Sequence, residues 1–198
     1  MPNAAVRSYS EGVEEFGRYL NVVDIEATCW ATAPPAGQVS EIIEIGLCVV
    51  DTVSFERVAR HRLLVRPRRS TVSPFCTQLT GLQQQEVSGG LSFRDACLVL
   101  ERRYRASSRS WASWGDYDRR QFGQQCRIER LPFPFSGRHI NAKKVFSQSF
   151  HLDRKLGMQE ALAHAGLPLE GRHHCGEDDA WNVGALVELL LRRGLSPV

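Results

Sequence analysis

Leu20, Val22 and Val23 form a mostly apolar run that leads directly into Asp24-Ile25-Glu26-Ala27-Thr28-Cys29-Trp30. The run predicts a buried first strand over 18–25. Side chains alternate along a strand, so Asp24 and Glu26 project to the same side, with Cα atoms about 6.5 Å apart. Glu41 to Val50 is rich in Ile and Val and predicts a second strand. Val58, His61, Leu63 and Val65 mark a third, over 57–65, antiparallel to the second through a turn near Asp51 to Ser54. The segment from Ser73 to Leu82 begins as a short helix and ends at a turn on Gly81. Ser92 N-caps the next helix, with Phe93, Ala96, Cys97, Leu100 and Tyr104 at helical spacing. Arg109 to Trp114 predicts a fourth strand, and Asp118 to Arg127 a helix with Phe122 and Cys126 on one face. Residues 131–155 read as irregular, broken by Pro132 and Pro134, with His139-Ile140-Asn141 as a short fifth strand. A helix from Met158 stops at Gly166, and a last helix runs from about Glu177 to Arg193. Antiparallel strands followed by strands alternating with helices predict an α/β fold with a mixed sheet flanked by helices.

The chain has 198 residues, enough for one domain with a full core. A polar lead-in over residues 1–17 is expected, then a single domain over 18–198. Glu11, Glu14 and Glu15 interrupt the N-terminus, which is no secretory signal, and no apolar run is long enough to span a bilayer. A cytoplasmic protein that engages no membrane is therefore expected. The six cysteines show no Cys-x-x-Cys pair, so they read as reduced, mostly buried hydrophobes. Net charge is only +3, yet 22 of the 25 basic residues are arginine. The stretch 57–69 holds six arginines and no acid. It reads as a solvated strand face or, alternatively, a patch for nucleic acid.

Candidate chemistry lies at three element boundaries. The first is Asp24 with Glu26. Two carboxylates leaving a buried strand on one side repel unless protonated or bridged by a cation, and a divalent metal would bridge them. The second is Trp114-Gly115-Asp116-Tyr117-Asp118, and the third is His173-His174-Cys175-Gly176-Glu177-Asp178-Asp179. Taken singly, Asp118 reads equally as a helix cap, and Glu177, Asp178 and Asp179 as partners of a helix dipole.

As an ordered set, Asp-Ile-Glu-Ala-Thr, then Tyr-Asp before a helix, then His-x4-Asp resembles the DEDDh 3′–5′ exonucleases, a ribonuclease-H-like group. Within it, the chain is most similar to the Eri-type histone-mRNA exonuclease and bacterial KapD-type branch. That narrower likeness rests on Asp24 to Cys29, Glu41-Ile-Ile-Glu44, Phe75-Cys76 with Leu79-Thr80-Gly81, and Gly171-Arg172 with His174-Cys-Gly176 before Asp178-Asp179. It extends over about residues 18–192. The resemblance implies a ribonuclease-H-like, five-stranded mixed sheet. It also implies a metal-dependent 3′–5′ exonuclease that acts on single-stranded RNA ends, with single-stranded DNA as a second substrate, and releases nucleoside 5′-monophosphates.

The resemblance further implies catalytic roles for Asp24, Glu26, Asp118, His174 and Asp179. The four acids would hold two Mg²⁺ or Mn²⁺ ions, and His174 would act as general base. Tyr117-Asp118 with Phe122 fits the second motif better than Asp116, whose fourth successor is Arg120; Asp116 stays the alternative. His173 with Asp178 repeats the spacing of His174 with Asp179, and the Gly-Arg-x-His-Cys-Gly frame favours the latter. Substrate contacts are expected from the backbone of Ala27 and Thr28, from Leu79 and Thr80, from Tyr117 and Arg119, and from Lys143. Two rival readings remain at this point: a DNA proofreading or repair exonuclease, and a non-catalytic nucleic-acid-binding module on the same fold.

Overall fold

A computed structural model describes residues 17–194, so most of the expected lead-in and the last four residues lie outside the described part. Five strands are present: β1 (Tyr19–Ala27), β2 (Ile42–Asp51), β3 (Glu56–Leu64), β4 (Trp111–Ser113) and β5 (His139–Asn141). Their order across the sheet is β3-β2-β1-β4-β5. β1, β2 and β3 pair antiparallel, while β4 runs parallel to both β1 and β5. Seven helices occur among the described residues: α1 (Pro74–Thr80), α2 (Gln84–Ser88), α3 (Phe93–Tyr104), α4 (Tyr117–Glu129), α5 (Ala142–Ser149), α6 (Met158–Ala165) and α7 (Gly176–Arg192). None of them is long and apolar enough to cross a membrane.

Strand alternation sorts β1 between two cores. Leu20 and Val22 pack with Phe146, Leu162, Val183 and Leu186 of α5, α6 and α7. Val23 and Ile25 pack on the other face with Phe93, Leu100 and Phe122 of α3 and α4. Asp24 and Glu26 therefore continue the row begun by Leu20 and Val22, at the point where the apolar cover of that row ends. A bulge follows at once, because Glu26 pairs with Glu44 but Ala27 with Ile42. The extra residue, Ile43, turns to a third small core with Cys76, Leu82 and Val87. β1 and β4 are parallel, so their C-terminal ends open at one edge, where α/β folds place their sites.

α7 comes close to β2 through two glycines. A Cβ on Gly46 would run into the Gly176 carbonyl, and Gly46 is the β-partner of Asp24. This contact sets the first turn of α7, with Asp179, beside the end of β1. Gly46→Ala is expected to cost about 3 kcal/mol, read as a lower denaturant midpoint. Gly123→Ala in α4, where a Cβ meets nothing within 4 Å, is the control and should be neutral or stabilise by up to ~1 kcal/mol.

Two helices lie where the sequence predicted none. α2 is only five residues long and buries Val87 alone. α5 falls inside the stretch expected to be irregular. Its apolar face is short and includes buried Ser147 alongside Ala142, Val145 and Phe146. Asn141 starts it by accepting the Lys144 N–H at 2.9 Å, so the prolines upstream break the chain only before β5. The expected fourth strand shrinks to Trp111–Ser113.

Ion pairs occupy the arginines of the third strand, which is only partly solvated. Arg57 pairs with Glu170 at 2.9 Å and Glu188 at 3.4 Å. Arg60 engages Glu177 and Asp178, and Arg62 engages Glu44 at 2.6 Å and Glu86 at 3.0 Å. The acids that answer these arginines lie in or just before α7, except Glu44 and Glu86, and so were distant in sequence. Arg66, Arg68 and Arg69 remain exposed.

Candidate active site

Three elements bring the carboxylates together. One carboxylate oxygen from each of Asp24, Glu26 and Asp179 lies within 4.8 Å of the other two. Asp179 sits in the first turn of α7, whose preceding loop crosses the end of β1. Asp118 comes from the first turn of α4, and its Oδ1 accepts the Ile25 N–H at 3.1 Å. That bond fixes the acid between Asp24 and Glu26 along the chain, and its charge acts on both. Asp116 stands elsewhere: it is half-exposed, accepts from the Asn141 amide at 2.8 Å and pairs with Arg119 at 3.3 Å.

The electrostatics are those of a site short of positive charge. Burial and the charges of Asp118, Asp179, Glu26 and Glu44 push Asp24 well above the usual carboxylate range. Glu26 is pushed up to about 8, by burial first and then by Asp179, Glu44 and Asp118, against the pull of Arg172. Burial raises Asp118 to about 6. Burial raises Asp179 as well, opposed by His173 and His174. For Glu26, the folded state keeps a proton between pH 4.5 and about 8 that the unfolded chain has lost. Stability therefore falls as pH rises through that window. The thermal midpoint of chelator-treated protein is expected to drop across it, with an upper bound of ~5 kcal/mol from Glu26 alone, and added Mg²⁺ should restore it. A flat midpoint would show that these acids do not crowd one another.

Glu44 was not foreseen as part of the site. It is fully buried, accepts the Gly176 N–H at 3.1 Å, and is balanced by Arg62. It ties the N-terminus of α7 to β2. The signal was available, since a carboxylate inside the apolar run Ile42 to Val50 demands a partner. Arg172 was also missed. Its guanidinium donates to the Leu79 carbonyl at 3.2 Å and its charge reaches Glu26.

The two histidines are stacked, with ring centroids 3.9 Å apart. His174 has φ 62°, and its N–H donates to Asp179 Oδ2 at 2.9 Å. His173 Nδ1 lies 3.0 Å from the same oxygen. Ring nitrogens of both histidines fall within 4.8 Å of Asp179 and of each other, so both stand at the site's edge. Burial, then the neighbouring His173, lowers the His174 pKa below 6.5.

The expected substrate contacts fare unevenly. Tyr117 is 52% exposed on the rim. Leu79 is partly buried, with its carbonyl engaged by Arg172. Lys143 lies alongside Gly115, and Arg119 turns to Asp116. Ala27 is buried and its carbonyl accepts from Cys76 Sγ at 3.6 Å. Thr28 has no free donor: its N–H donates to the Glu41 carbonyl at 2.8 Å, and its hydroxyl is held between Ser70 Oγ and the Glu41 N–H, both at 2.9 Å. It fastens the exit of β1 to the start of β2. Thr80 is likewise occupied, its hydroxyl donating to the Cys76 carbonyl at 2.9 Å and accepting the Leu82 N–H at 3.2 Å. The hydroxyls of these two threonines hold loops in place. Of the tryptophans, Trp111 is fully buried, and all six cysteines are free.

Comparison with known proteins agrees with this geometry. The family model described as RNase_T: Exonuclease matches residues 22–187. The 3′-5′ exonuclease Snipper of Drosophila melanogaster is 30% identical over 201 residues, covering 89% of this chain and 70% of that protein. The human 3′-5′ exoribonuclease 1 is 29% identical over 198 residues, covering 93% of this chain but only 56% of its own length. Among solved structures, the nuclease domain of 3′hExo, a DEDDh family member bound to rAMP, superposes with a TM-score of 0.82 at 27% identity, covering 91% of this chain and 95% of that one. The four-acid arrangement and these likenesses converge: the chain belongs to the exonuclease family, on its DEDDh, Eri-type branch.

Proposed function

We propose that this protein is a 3′–5′ exonuclease that removes nucleoside 5′-monophosphates from single-stranded RNA ends, using two Mg²⁺ or Mn²⁺ ions. The observation that carries the reading is the Asp24–Glu26–Asp179 cluster, with Asp118 behind it: partly to fully buried acids whose mutual repulsion Arg172 and the two histidines offset only in part. Such an all-oxygen donor set suits a hard divalent ion. Asp24, Glu26 and Asp179 would hold one ion, and Asp24 with Asp118 the second. The ions would supply charge stabilisation to the attacking and leaving oxygens of a phosphodiester.

The rest falls to the chain's own side chains. His174, neutral at pH 7, takes the proton of the attacking water. The Asp179 carboxylate, through the His174 N–H, holds that loop in place. Tyr117 offers an exposed ring for a terminal base to stack on, which is tolerant of sequence. Arg172, whose charge reaches Glu26, and Leu79, whose carbonyl it holds, would meet the last nucleotides. The relatives support RNA: the human protein and ERI1 exoribonuclease 2 of Mus musculus both carry exoribonuclease in their names, and a further structural neighbour is a 3′-exonuclease that recognises the 3′ end of a histone mRNA stem-loop. Turnover of RNA and DNA single strands of equal sequence, mixed in one reaction, tests the preference. Faster loss of the RNA is expected, and faster loss of the DNA would return the reading to a repair-type enzyme.

A further inference from the structure

His173 has no task in the reaction described above, yet it is the best-placed side chain against Asp179. We propose that His173, His174 and Asp179 form a second kind of metal site, for a borderline transition-metal ion such as Zn²⁺, whose occupation shuts the nuclease centre. The binding half of this inference stands on geometry alone; the shutting half rests on the exonuclease reading.

One ring nitrogen of each histidine and one oxygen of Asp179 lie within 4.8 Å of one another. Bonds of about 2.0–2.1 Å in a tetrahedral zinc site set ligand atoms roughly 3.3–3.5 Å apart. His173 Nδ1 and Asp179 Oδ2, at 3.0 Å, are already that close, and the His174 ring has to turn out of the stack to aim a nitrogen at the same point. Both rings are partly exposed, which leaves room for it. The backbone prepares the arrangement. Successive side chains ordinarily diverge, but the left-handed φ of 62° at His174 turns both rings to one side, where they stack. The His174 N–H fixes the Asp179 carboxylate that both rings approach, the kind of outer support that orients metal ligands.

Donor chemistry separates this trio from the acid cluster. Two imidazole nitrogens and one carboxylate oxygen match zinc sites that keep a fourth position open. The all-carboxylate group suits Mg²⁺ or Mn²⁺. Asp179 belongs to both groups, so a zinc ion on the trio draws on a carboxylate the other site requires. It also occupies His174, the base. Loss of turnover follows from either effect.

The test uses the full chain, stripped of metal, at neutral pH. Zn²⁺ affinity is read by competition with a chromophoric chelator, and Co²⁺ serves as a visible-absorbing stand-in. Wild type is expected to bind one Zn²⁺, and His173→Ala to bind it at least ~10-fold more weakly. In the nuclease assay with saturating Mg²⁺, His173→Ala should need at least ~10-fold more Zn²⁺ for half-inhibition. His173→Gln supplies the same comparison if the alanine variant does not fold. Equal affinity and equal inhibition in wild type and variant would overturn the proposal, as would thiolate-to-cobalt absorption placing the ion on a cysteine. The chelator and cobalt readings require no turnover, so failure of the exonuclease reading shows separately, as absent turnover before any zinc is added.

Discussion

Asp24→Asn is expected to reduce metal-dependent nucleotide release by at least ~10³-fold while raising the thermal midpoint of the metal-free protein near pH 8. The two effects have opposite signs because they arise from the same charge. Asp24 is surrounded by Glu26, Asp118, Asp179 and Glu44, each of which raises its pKa. Without a cation, ionised Asp24 destabilises the fold, and the neutral amide of similar shape relieves that repulsion. With a cation, the same charge is what holds it. An acid retained for structure alone would show a lower midpoint on substitution. A higher midpoint together with lost turnover identifies a site where stability is given up for function. Paired measurements of melting in chelator and of turnover in Mg²⁺ check both halves. Retained turnover, or a lower midpoint, would contradict the assignment.

The second large effect is expected at His174. Removing a general base typically costs 10²- to 10⁴-fold, and His174→Ala should fall by about that much with its metal affinity intact. The sign of the pH dependence follows from the lowered pKa. Neutral imidazole is the active form, so wild-type rate is level near pH 7 and falls on acidification only below 6.5. Protonation of Glu26, pushed up to about 8 without metal, competes with the ion from there downward, and saturating Mg²⁺ removes that contribution from the profile. Under those conditions His174→Ala should lose the acid limb as well as the rate. If His173→Ala removes the limb and His174→Ala does not, the base is His173. The structure makes that comparison worthwhile, because both rings reach Asp179.

Much of this was legible along the chain, for reasons particular residues make plain. Asp24 and Glu26 stood out because strand alternation puts them in line with Leu20 and Val22, where an apolar row turns acidic. Asp118 was separable from Asp116 because Phe122, four residues on, is core while Arg120 is not, and the structure buries Asp118 against Ile25 accordingly. The register at the third motif favoured His174 with Asp179; in the fold the His174 backbone N–H and the His173 ring both meet that carboxylate. What stayed hidden depends on partners far away in sequence. Glu44 is explained by Gly176 and Arg62, and the arginines of β3 by acids in or near α7. α5 was hidden by its length and by a buried serine on its inner face. Thr28 and Thr80 matched a motif, and the work of their hydroxyls, Thr28 between Ser70 Oγ and the Glu41 N–H and Thr80 between the Cys76 carbonyl and the Leu82 N–H, shows only in the folded chain.

The central claim is tested most directly with a 5′-labelled single-stranded RNA incubated with the protein and either Mg²⁺ or Mn²⁺. The expected result is a ladder shortening one nucleotide at a time from the 3′ end, with nucleoside 5′-monophosphates as the released product and no change in chelator. No release with either ion, or cleavage at internal positions, would contradict the account.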